Sequence, residues 1–302
     1  MADDLAGLLA AGERAAFHGR PAAGVEPLRR AVDIAAGEGL VAEAAAAGWL
    51  LGVCLASAGR YGGALEVLDP LVGGHGAAEN RVLAALASAT VASVHRQLGR
   101  HSVAQGYDER ALEGSEGAGE AGFDALLGLA ADAVGLGDVG AAEARLAEAA
   151  ALAEGRGEGD WWRQRVRLGW VRAEVALLDG RPEAAVAAAH DAVELAEHSG
   201  APRHVAKGLL FLGVGQLEAG RTDEAAAVLR RAGLLAESLG TLPLQWPVRA
   251  VLGALLAADH PEDSAQALAS ARRAVTAIAE DLPEDLRGPW LARPDVEALL
   301  EA

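Results

Sequence analysis

Apolar side chains recur along this chain at helical spacing, in pairs of stripes that a glycine separates. Before Gly59, Leu51 and Leu55 fall on one stripe, and after it Leu65 and Leu68 fall on the next. Glycine adopts the left-handed conformation that ends a helix at no steric cost, so it suits the position between two helices. The pattern therefore predicts two helices joined by a tight turn.

The same unit returns about every forty residues. Its turn is a Gly-Arg or Gly-Asp step, found at Gly19-Arg20, Gly59-Arg60, Gly99-Arg100, Gly137-Asp138, Gly180-Arg181 and Gly220-Arg221. A small residue stands seven positions before each turn glycine, at Gly12, Gly52, Ala92, Ala130, Ala173 and Gly213. Another stands five positions after it, at Gly24, Ala64, Ala104, Ala142, Ala185 and Ala225. Two helices cross closely only where neither carries bulk, so this spacing predicts antiparallel helix pairs stacked in an array.

This pattern resembles the tetratricopeptide repeat (TPR), which has a small residue in helix A, a Gly-Asp-type turn and an alanine early in helix B. The segments that fit it most closely are Leu178-Asp179-Gly180-Arg181-Pro182-Glu183-Ala184-Ala185 and Glu218-Ala219-Gly220-Arg221-Thr222-Asp223-Glu224-Ala225. The resemblance covers nearly the whole chain. It implies an all-α fold, a right-handed α-solenoid of about seven antiparallel helix pairs. The period exceeds the roughly 34 residues usual for this repeat, as in TPR-like arrays of bacterial regulators.

Glycine- and glutamate-rich joints divide the array into units. We expect repeats at residues 1–37, 40–73, 78–117, 119–157, 160–199, 201–239 and 241–281. The seventh repeat is degenerate, because Asp259-His260-Pro261 replaces the glycine turn. Residues 282–302 break the period and predict a C-terminal cap of two short helices, split at Pro294, that closes the apolar end of the stack.

Composition and charge narrow the choice of partner and compartment. The formal charge of −17 and the pI near 4.9 disfavour nucleic acid and anionic membranes as partners. Cys54 is the only cysteine, so an internal disulfide cannot form, which fits a reducing compartment. The acidic start differs from a signal peptide, and the longest uncharged stretch, residues 44–59, is short and glycine-interrupted for a membrane span. These features predict a cytoplasmic protein.

Three candidate chemical sites have simpler structural interpretations. Residues 135–140 match G-x-G-x-x-G, but they occupy a helix–helix turn, whereas dinucleotide binding needs a strand before the motif. His190, Glu194 and His198 share one helix face that we expect to be solvated, which argues against a metal site. Cys54 lies in an apolar helix, where a buried structural thiol is commoner than a nucleophile. The sequence therefore predicts no enzyme activity, no cofactor and no metal.

The resemblance to TPR arrays implies that the A helices line a concave groove and that their inward residues bind a partner. By register, the candidate binding residues are Phe17, Trp49, Arg96, Gln97, Arg167, Trp170, Glu174, Lys207, Trp246 and Arg249. The same register turns Glu13, Ser93, Asp124, Leu127 and Glu218 inward. The cations would form an inner track for an acidic peptide or a C-terminal carboxylate, and the tryptophans would hold apolar side chains. The alternative for each tryptophan is core packing between repeats.

Three functions stay open at this point. The first is a scaffold or adaptor that binds a protein or peptide in the groove. The second is a regulatory sensor, similar in architecture to peptide-sensing bacterial TPR proteins, in which a small ligand changes the pitch of the superhelix. The third is a structural subunit of a larger assembly, or a solenoid that associates with itself.

Overall fold

The structure, a computed structural model, describes residues 2–73, 80–154, 157 and 160–301. Sixteen helices lie within these residues: α1 (Ala2–His18), α2 (Ala22–Gly37), α3 (Val41–Ala58), α4 (Tyr61–Gly73), α5 (Arg81–Gln97), α6 (His101–Gly114), α7 (Gly119–Gly135), α8 (Val139–Ala153), α9 (Trp162–Leu178), α10 (Pro182–His198), α11 (Pro202–Glu218), α12 (Thr222–Leu239), α13 (Leu242–Leu256), α14 (Pro261–Asp281), α15 (Glu284–Leu291) and α16 (Pro294–Glu301). The predicted boundaries at residues 1, 78 and 302 lie outside the described residues.

The helices form two layers. Each helix from α1 to α14 packs against the next in the chain, and the odd-numbered helices α1 to α13 also pack against one another in succession. The odd-numbered helices are therefore the A helices of a stacked array, and the even-numbered helices α2 to α14 are its B helices. The prediction of an all-α, TPR-like right-handed solenoid with a C-terminal capping segment is confirmed.

The turn between paired helices has the predicted left-handed form. At Gly59, which follows α3, φ is 86°, and its N–H donates to the carbonyl oxygen of Ala56 at 3.1 Å. The next N–H in the chain donates to Leu55 at 2.9 Å, so two carbonyl groups at the helix end are satisfied. Positive φ values recur at Gly99, Gly137, Gly180 and Gly220. Gly19 differs, and the chain there enters α2 through Pro21 without a left-handed residue.

The small residues before each turn permit close helix crossing. A Cβ built on Gly52 would lie 2.4 Å from the side chain of Leu68 on the paired helix, and one on Gly213 would lie 2.6 Å from Leu229. Both leucines are fully buried. A larger residue at either glycine would force the paired helices apart, which explains why the sequence keeps these positions small.

The two ends of the solenoid meet. Helix α1 packs against α11, α3 against α13, and α4 against α14. The hydroxyl of Thr241 donates to the carbonyl oxygen of Ser57 at 2.7 Å, and the carboxylate of Asp281 accepts from the N–H of Gly62 at 2.7 Å. These contacts join residues 184 and 219 positions apart, so the local repeat pattern carries no sign of them. The array curls until its first two repeats contact its last two, and these contacts border the inner groove on both sides.

The C-terminal helices α15 and α16 take part in this closure. Leu286, Trp290 and Val296 are buried in the same apolar core as residues of α3, α4 and α5. The guanidinium of Arg293 donates to the carbonyl oxygen of Gln97 at 2.6 Å. The cap therefore does more than cover the end of the stack, because closure of the superhelix brings it onto the second and third repeats.

One described helix, α3, is long and apolar enough to cross a membrane by length and composition alone, with a mean hydropathy of 1.6. It packs against α1, α2, α4, α5 and α13. Half of its residues are buried inside the fold. A core helix of a folded protein has the same composition, and the packing of α3 accounts for its apolar character.

The first prediction concerns the closure contact at Asp281. Its carboxylate accepts hydrogen bonds from Gly62 (2.7 Å) and Gly63 (3.3 Å) in the first turn of α4 and lies 3.6 Å from Arg60. We expect Asp281→Ala to lower the free energy of unfolding by about 1–3 kcal/mol, because it leaves helix N–H groups without their acceptor. Urea unfolding measures this loss, and small-angle X-ray scattering should show a larger radius of gyration.

The matched control is Glu280→Ala, because Glu280 is the exposed neighbour of Asp281 on α14. This variant should keep the stability and the radius of gyration of the wild type. Equal scattering curves for Asp281→Ala and the control would mean that Asp281 does not hold the superhelix closed.

Candidate functional site

The inner faces of the A helices enclose a cavity of about 370 Å³, which we call the groove cavity. Its wall is formed by the end of α1, by α3, α5, α7, α9 and α11, and by the residues that begin α13. Ligand sites in proteins are usually concave and measure about 300–1,000 Å³, so the groove cavity is of ordinary size for one. Its wall draws on seven repeats, which the contacts between the two ends of the solenoid bring around the cavity.

Most of the predicted binding residues lie at this wall. They are Phe17, Trp49, Arg96, Gln97, Arg167, Trp170, Glu174 and Lys207, and the wall also includes Ser93, Asp124 and Leu127. Glu13 and Glu218, which the same register turned inward, are exposed and are not part of the wall. The repeat register therefore brings eight of the ten predicted binding residues to one cavity, and their role in binding stays a prediction.

Two predicted residues, Trp246 and Arg249, do not line the groove cavity. The ring of Trp246 packs edge-on against Trp290 of the cap, with 5.8 Å between centroids. The guanidinium of Arg249 pairs with Glu237 on α12 at 2.8 Å. Only the start of α13 reaches the cavity, because the cap occupies the helix face that carries Trp246.

Three titratable residues of the wall were absent from the predicted set: Arg163, Arg203 and His204. The helical spacing of residues already identified contained the signal for two of them. Arg163 stands four positions before Arg167 on α9, and Arg203 stands four positions before Lys207 on α11. Residues four apart share a helix face, so extending each stripe by one turn would have found both arginines.

Arg96 is held between two buried carboxylates. Its guanidinium donates to Asp132 through Nε (2.9 Å) and Nη2 (3.0 Å) and also contacts Asp108 on α6. The ring of His101 approaches Asp132 at 3.1 Å. Burial raises the pKa of Asp108 to about 8, although Arg96 opposes the shift. The charge of Arg96 is therefore neutralised within the protein, and its contacts join α5, α6 and α7.

Arg163 and Arg167 share one carboxylate in the same way. Asp124 on α7 is buried, accepts from Arg163 at 2.9 Å and contacts Arg167. Arg163 also lies 3.3 Å from Glu120, whose side chain is half exposed at the edge of the groove. These pairs join α7 to α9 and neutralise much of the predicted cationic track.

Aromatic rings border the remaining cations. The ammonium group of Lys207 lies 4.8 Å from the ring centroid of Trp170 and 5.6 Å from that of Phe211. The imidazole of His204 stacks on Trp170 with centroids 5.4 Å apart and meets the edge of Trp162 at 5.1 Å. Burial, reinforced by nearby arginines, holds the pKa of His204 well below its usual value of 6.5, so the ring is neutral at pH 7.

A second aromatic group lies on α1 and α3. The rings of Phe17 and Trp49 are 6.4 Å apart, and the indole N–H of Trp49 donates to the hydroxyl of Thr90 at 3.1 Å. Both rings line the groove cavity and are partly buried against the core. Both interpretations of the sequence, core packing and groove binding, therefore fit these rings. Each ring packs between repeats and also presents an apolar surface to the groove.

The structure shows the surroundings of the three candidate chemical sites that the sequence contains. Gly135 is the last residue of α7 and the G-x-G-x-x-G segment joins α7 to α8, so the motif is a helix–helix turn. Cys54 is buried, and burial raises the pKa of its thiol to about 12, which disfavours the thiolate. His190, Asp191 and Glu194 place possible ligand atoms within 4.8 Å of one another, but all three are exposed on α10, away from the groove cavity.

Comparison with solved structures yields the same architecture. A Rap protein in complex with competence and sporulation factor is similar with a TM-score of 0.66 and 11% identity, over 99% of this chain and 89% of that one. Aspartyl phosphate phosphatase F from Bacillus subtilis is similar with a TM-score of 0.50 and 14% identity, over 74% of this chain and 61% of that one. These identities show a common fold only, and the resemblance to TPR-like helical repeat proteins is confirmed. No protein-family model and no curated protein matches the sequence.

The second prediction concerns the buried partner of Arg96. Removing one member of a buried ion pair typically costs about 3–5 kcal/mol, because a charge is left uncompensated. We expect a loss at the lower end of this range for Asp132→Ala, since Asp108 still contacts Arg96. Urea unfolding measures the loss against Glu109→Ala, a control at an exposed position of α6. A loss no greater than that of the control would show that Arg96 needs no carboxylate at Asp132.

The third prediction concerns Lys207, whose pKa is lowered from 10.5 to about 8, mainly by burial. Because the unfolded chain binds this proton more tightly, the folded protein is destabilised below pH 8, and the cost vanishes as pH rises from 8 to 10.5. We therefore expect Lys207→Met to raise the free energy of unfolding at pH 7, by about 1–2 kcal/mol. Urea unfolding at pH 7 and pH 10 should show that gain shrinking at the higher pH.

The contrary result for Lys207→Met would be a loss of stability at pH 7. That outcome would mean that the ammonium group is favourably solvated or paired in the free protein. Arg172→Met on the exposed side of α9 is the control, because it removes a cation that is in water in both states.

Proposed function

We propose that this protein binds a short peptide in the groove cavity and has no catalytic activity of its own. The observation that carries the proposal is the concave inner face, where residues of seven repeats, with aromatic rings and cations from five of them, surround one cavity of about 370 Å³. Repeat arrays use such inner faces for recognition, with aromatic anchors and charged pairs supplying specificity. The proposed site of action is the cytoplasm.

A short peptide suits the cavity better than a folded partner does. The second and seventh repeats are in contact through Thr241 and Asp281, so the groove offers a folded domain less room than an open trough would. An extended segment could place apolar side chains on Trp49 and Trp170, which lie on different helices of the wall. Its backbone groups would meet polar side chains such as Gln97 and Ser93.

The chemistry of the wall supports binding without catalysis. The carboxylates of Asp108, Asp124 and Asp132 are engaged by arginines, and the thiol of Cys54 is buried with a raised pKa. One structural neighbour is named a phosphatase, but at 14% identity this comparison extends to the fold alone. The proposal therefore treats this chain as a binding protein and assigns it no reaction.

Closure of the superhelix favours the sensor among the alternatives. A ligand that contacts residues from both ends of the array within the cavity would favour the form in which these ends touch. Binding would then change the balance between open and closed forms, which a static scaffold does not require. The neighbour with the higher TM-score was solved in complex with competence and sporulation factor, and this supports a regulatory ligand here as well.

The fourth prediction tests occupancy of the groove cavity. A pooled library of random short peptides is passed over the immobilised protein, and retained peptides are identified by mass spectrometry. Ser93→Trp should reduce retention about tenfold or more, because the indole fills space at the cavity wall. The control, Ala187→Trp, adds the same bulk at an exposed position of α10 and should retain the wild-type set.

Circular dichroism should show equal helix content in both variants. Retention of the same peptides by Ser93→Trp would move the binding site out of the cavity. If the wild type enriches no peptide, the proposed function is wrong. Light scattering at several concentrations then tests self-association, the structural alternative.

A further inference from the structure

The five cations of the groove wall fall into two groups. Arg96, Arg163 and Arg167 each contact a carboxylate of the protein within 3 Å. Arg203 and Lys207 have no ion pair within 4 Å among the described residues. We call Arg203 and Lys207 the α11 cation pair. They stand four positions apart on α11, so they share one face of that helix, and both line the groove cavity.

Arg203 is the more unusual of the two. Its Nε is buried and finds no hydrogen-bond acceptor within the described part of the chain. Burial lowers its pKa to about 10, and the cations that add to this effect are Arg163 and Arg167 across the wall on α9. The thiol of Cys54 on α3 acts in the opposite direction. A buried guanidinium surrounded by like charge is costly, so an arginine is kept here at the expense of stability.

Lys207 has an incomplete set of partners. Its ammonium group rests on the rings of Trp170 and Phe211, and the acid that acts on it is Glu174, whose own pKa is raised by burial. The positive charge of Arg96 also acts on Glu174 and opposes this rise in its pKa. An ammonium group has three donors, and one partly shared carboxylate leaves room for another acceptor.

The residue between them completes the set of donors. His204 is 99% buried, lines the same cavity, and its Nδ1 has no hydrogen-bond partner among the described residues. A neutral imidazole can donate from either ring nitrogen, and which one carries the proton depends on the partner. Three side chains of α11 therefore line the cavity, and the described part of the protein supplies no acceptor for the Nε of Arg203 and no hydrogen-bond partner for the Nδ1 of His204.

We infer that the α11 cation pair is a carboxylate-binding subsite of the groove cavity. A carboxylate has two oxygens that match the fork of an arginine, while a lysine adds a point charge. Trp170 and Phe211 stand beside the pair and would contact the apolar part of the residue that carries the carboxylate. This inference rests on the proposed function, and it names the group that the peptide must carry. The carboxylate is either the C-terminus of the peptide or an Asp or Glu side chain.

Three peptide pools distinguish these sources. The first contains random short peptides with a free C-terminal carboxylate and no Asp or Glu. The second contains the same sequences as C-terminal amides, and the third contains amides in which Asp and Glu are allowed. We expect the wild type to enrich the first or the third pool about tenfold over the second, because a charge-assisted bidentate contact is worth at least about 1.4 kcal/mol. Enrichment of the first pool identifies the C-terminus, and enrichment of the third identifies a side chain.

Arg203→Gln and Lys207→Gln should each abolish this preference. Neither variant breaks an ion pair of the described structure, so both should fold, and circular dichroism verifies that they do. The control is Arg172→Gln, which removes an exposed arginine from α9 and should keep the preference. Equal enrichment of acids and amides by the wild type would overturn the subsite and leave the proposed function standing.

A second measurement needs no peptide. Lys207 is the only lysine of the chain, so reductive methylation with ¹³C-formaldehyde gives a single lysine signal besides that of the N-terminus. Lys207→Gln identifies the signal by its loss. The measured pKa of this group should be near 8, and it should rise when acetate replaces chloride at constant ionic strength, because a bound carboxylate stabilises the charged form.

The acetate titration separates the two possible failures. If no peptide pool is enriched, the proposed function is wrong, and the titration alone decides about the subsite. A Lys207 signal whose pKa is the same in acetate and in chloride would overturn the subsite. A rise in the wild type that disappears in Arg203→Gln would support it, since both cations must then contact the same carboxylate.

Discussion

Closure of the superhelix is the constraint on which the other features of this structure depend. An open TPR array would expose its inner face to water. Water would solvate the charges on that face, so they would lower the stability of the protein very little. Here α4 receives a cap from Asp281 and α3 receives a hydrogen bond from Thr241, so the last repeat is attached to the second. The inner face becomes the wall of a cavity. Every charged group on it then loses part of its solvation, and the cost must be offset by partners inside the protein.

The pairing of Arg96, Arg163 and Arg167 follows from that cost. Each guanidinium is matched by a carboxylate from a neighbouring A or B helix, and the pairs made by Asp124 and Asp132 join neighbouring repeats. Against this background an unpaired cation stands out, since a chain with 43 carboxylates could readily have placed one near Arg203. Binding sites commonly retain groups that weaken the free protein, because those groups gain their partners only in the complex.

The sequence predicted the features of this fold that are local. Gly59 and its equivalents end helices, and Gly52 lies against Leu68, because both constraints act within one helix pair. The inner register brings most of the predicted residues to the groove cavity. Trp246 and Arg249 do not line it, since Trp246 packs on the cap, which lies outside the repeat pattern, and Arg249 pairs with α12. Likewise no spacing rule could show that Arg96 is neutralised, because its two carboxylates come from different helices.

Closure and ligand charge are linked through α11. This helix lies where α1 returns to the later repeats, and the loop before it accepts a contact from His18 at 3.2 Å. Arg203, on the helix that α1 contacts, faces Arg163 and Arg167 of the neighbouring repeat, so their mutual repulsion acts within the wall of the groove cavity. A carboxylate bound between Arg203 and Lys207 would reduce this repulsion. It would bind more tightly to a conformation that keeps both cations on the cavity wall than to one that separates them, and by linkage it would shift the population toward the first.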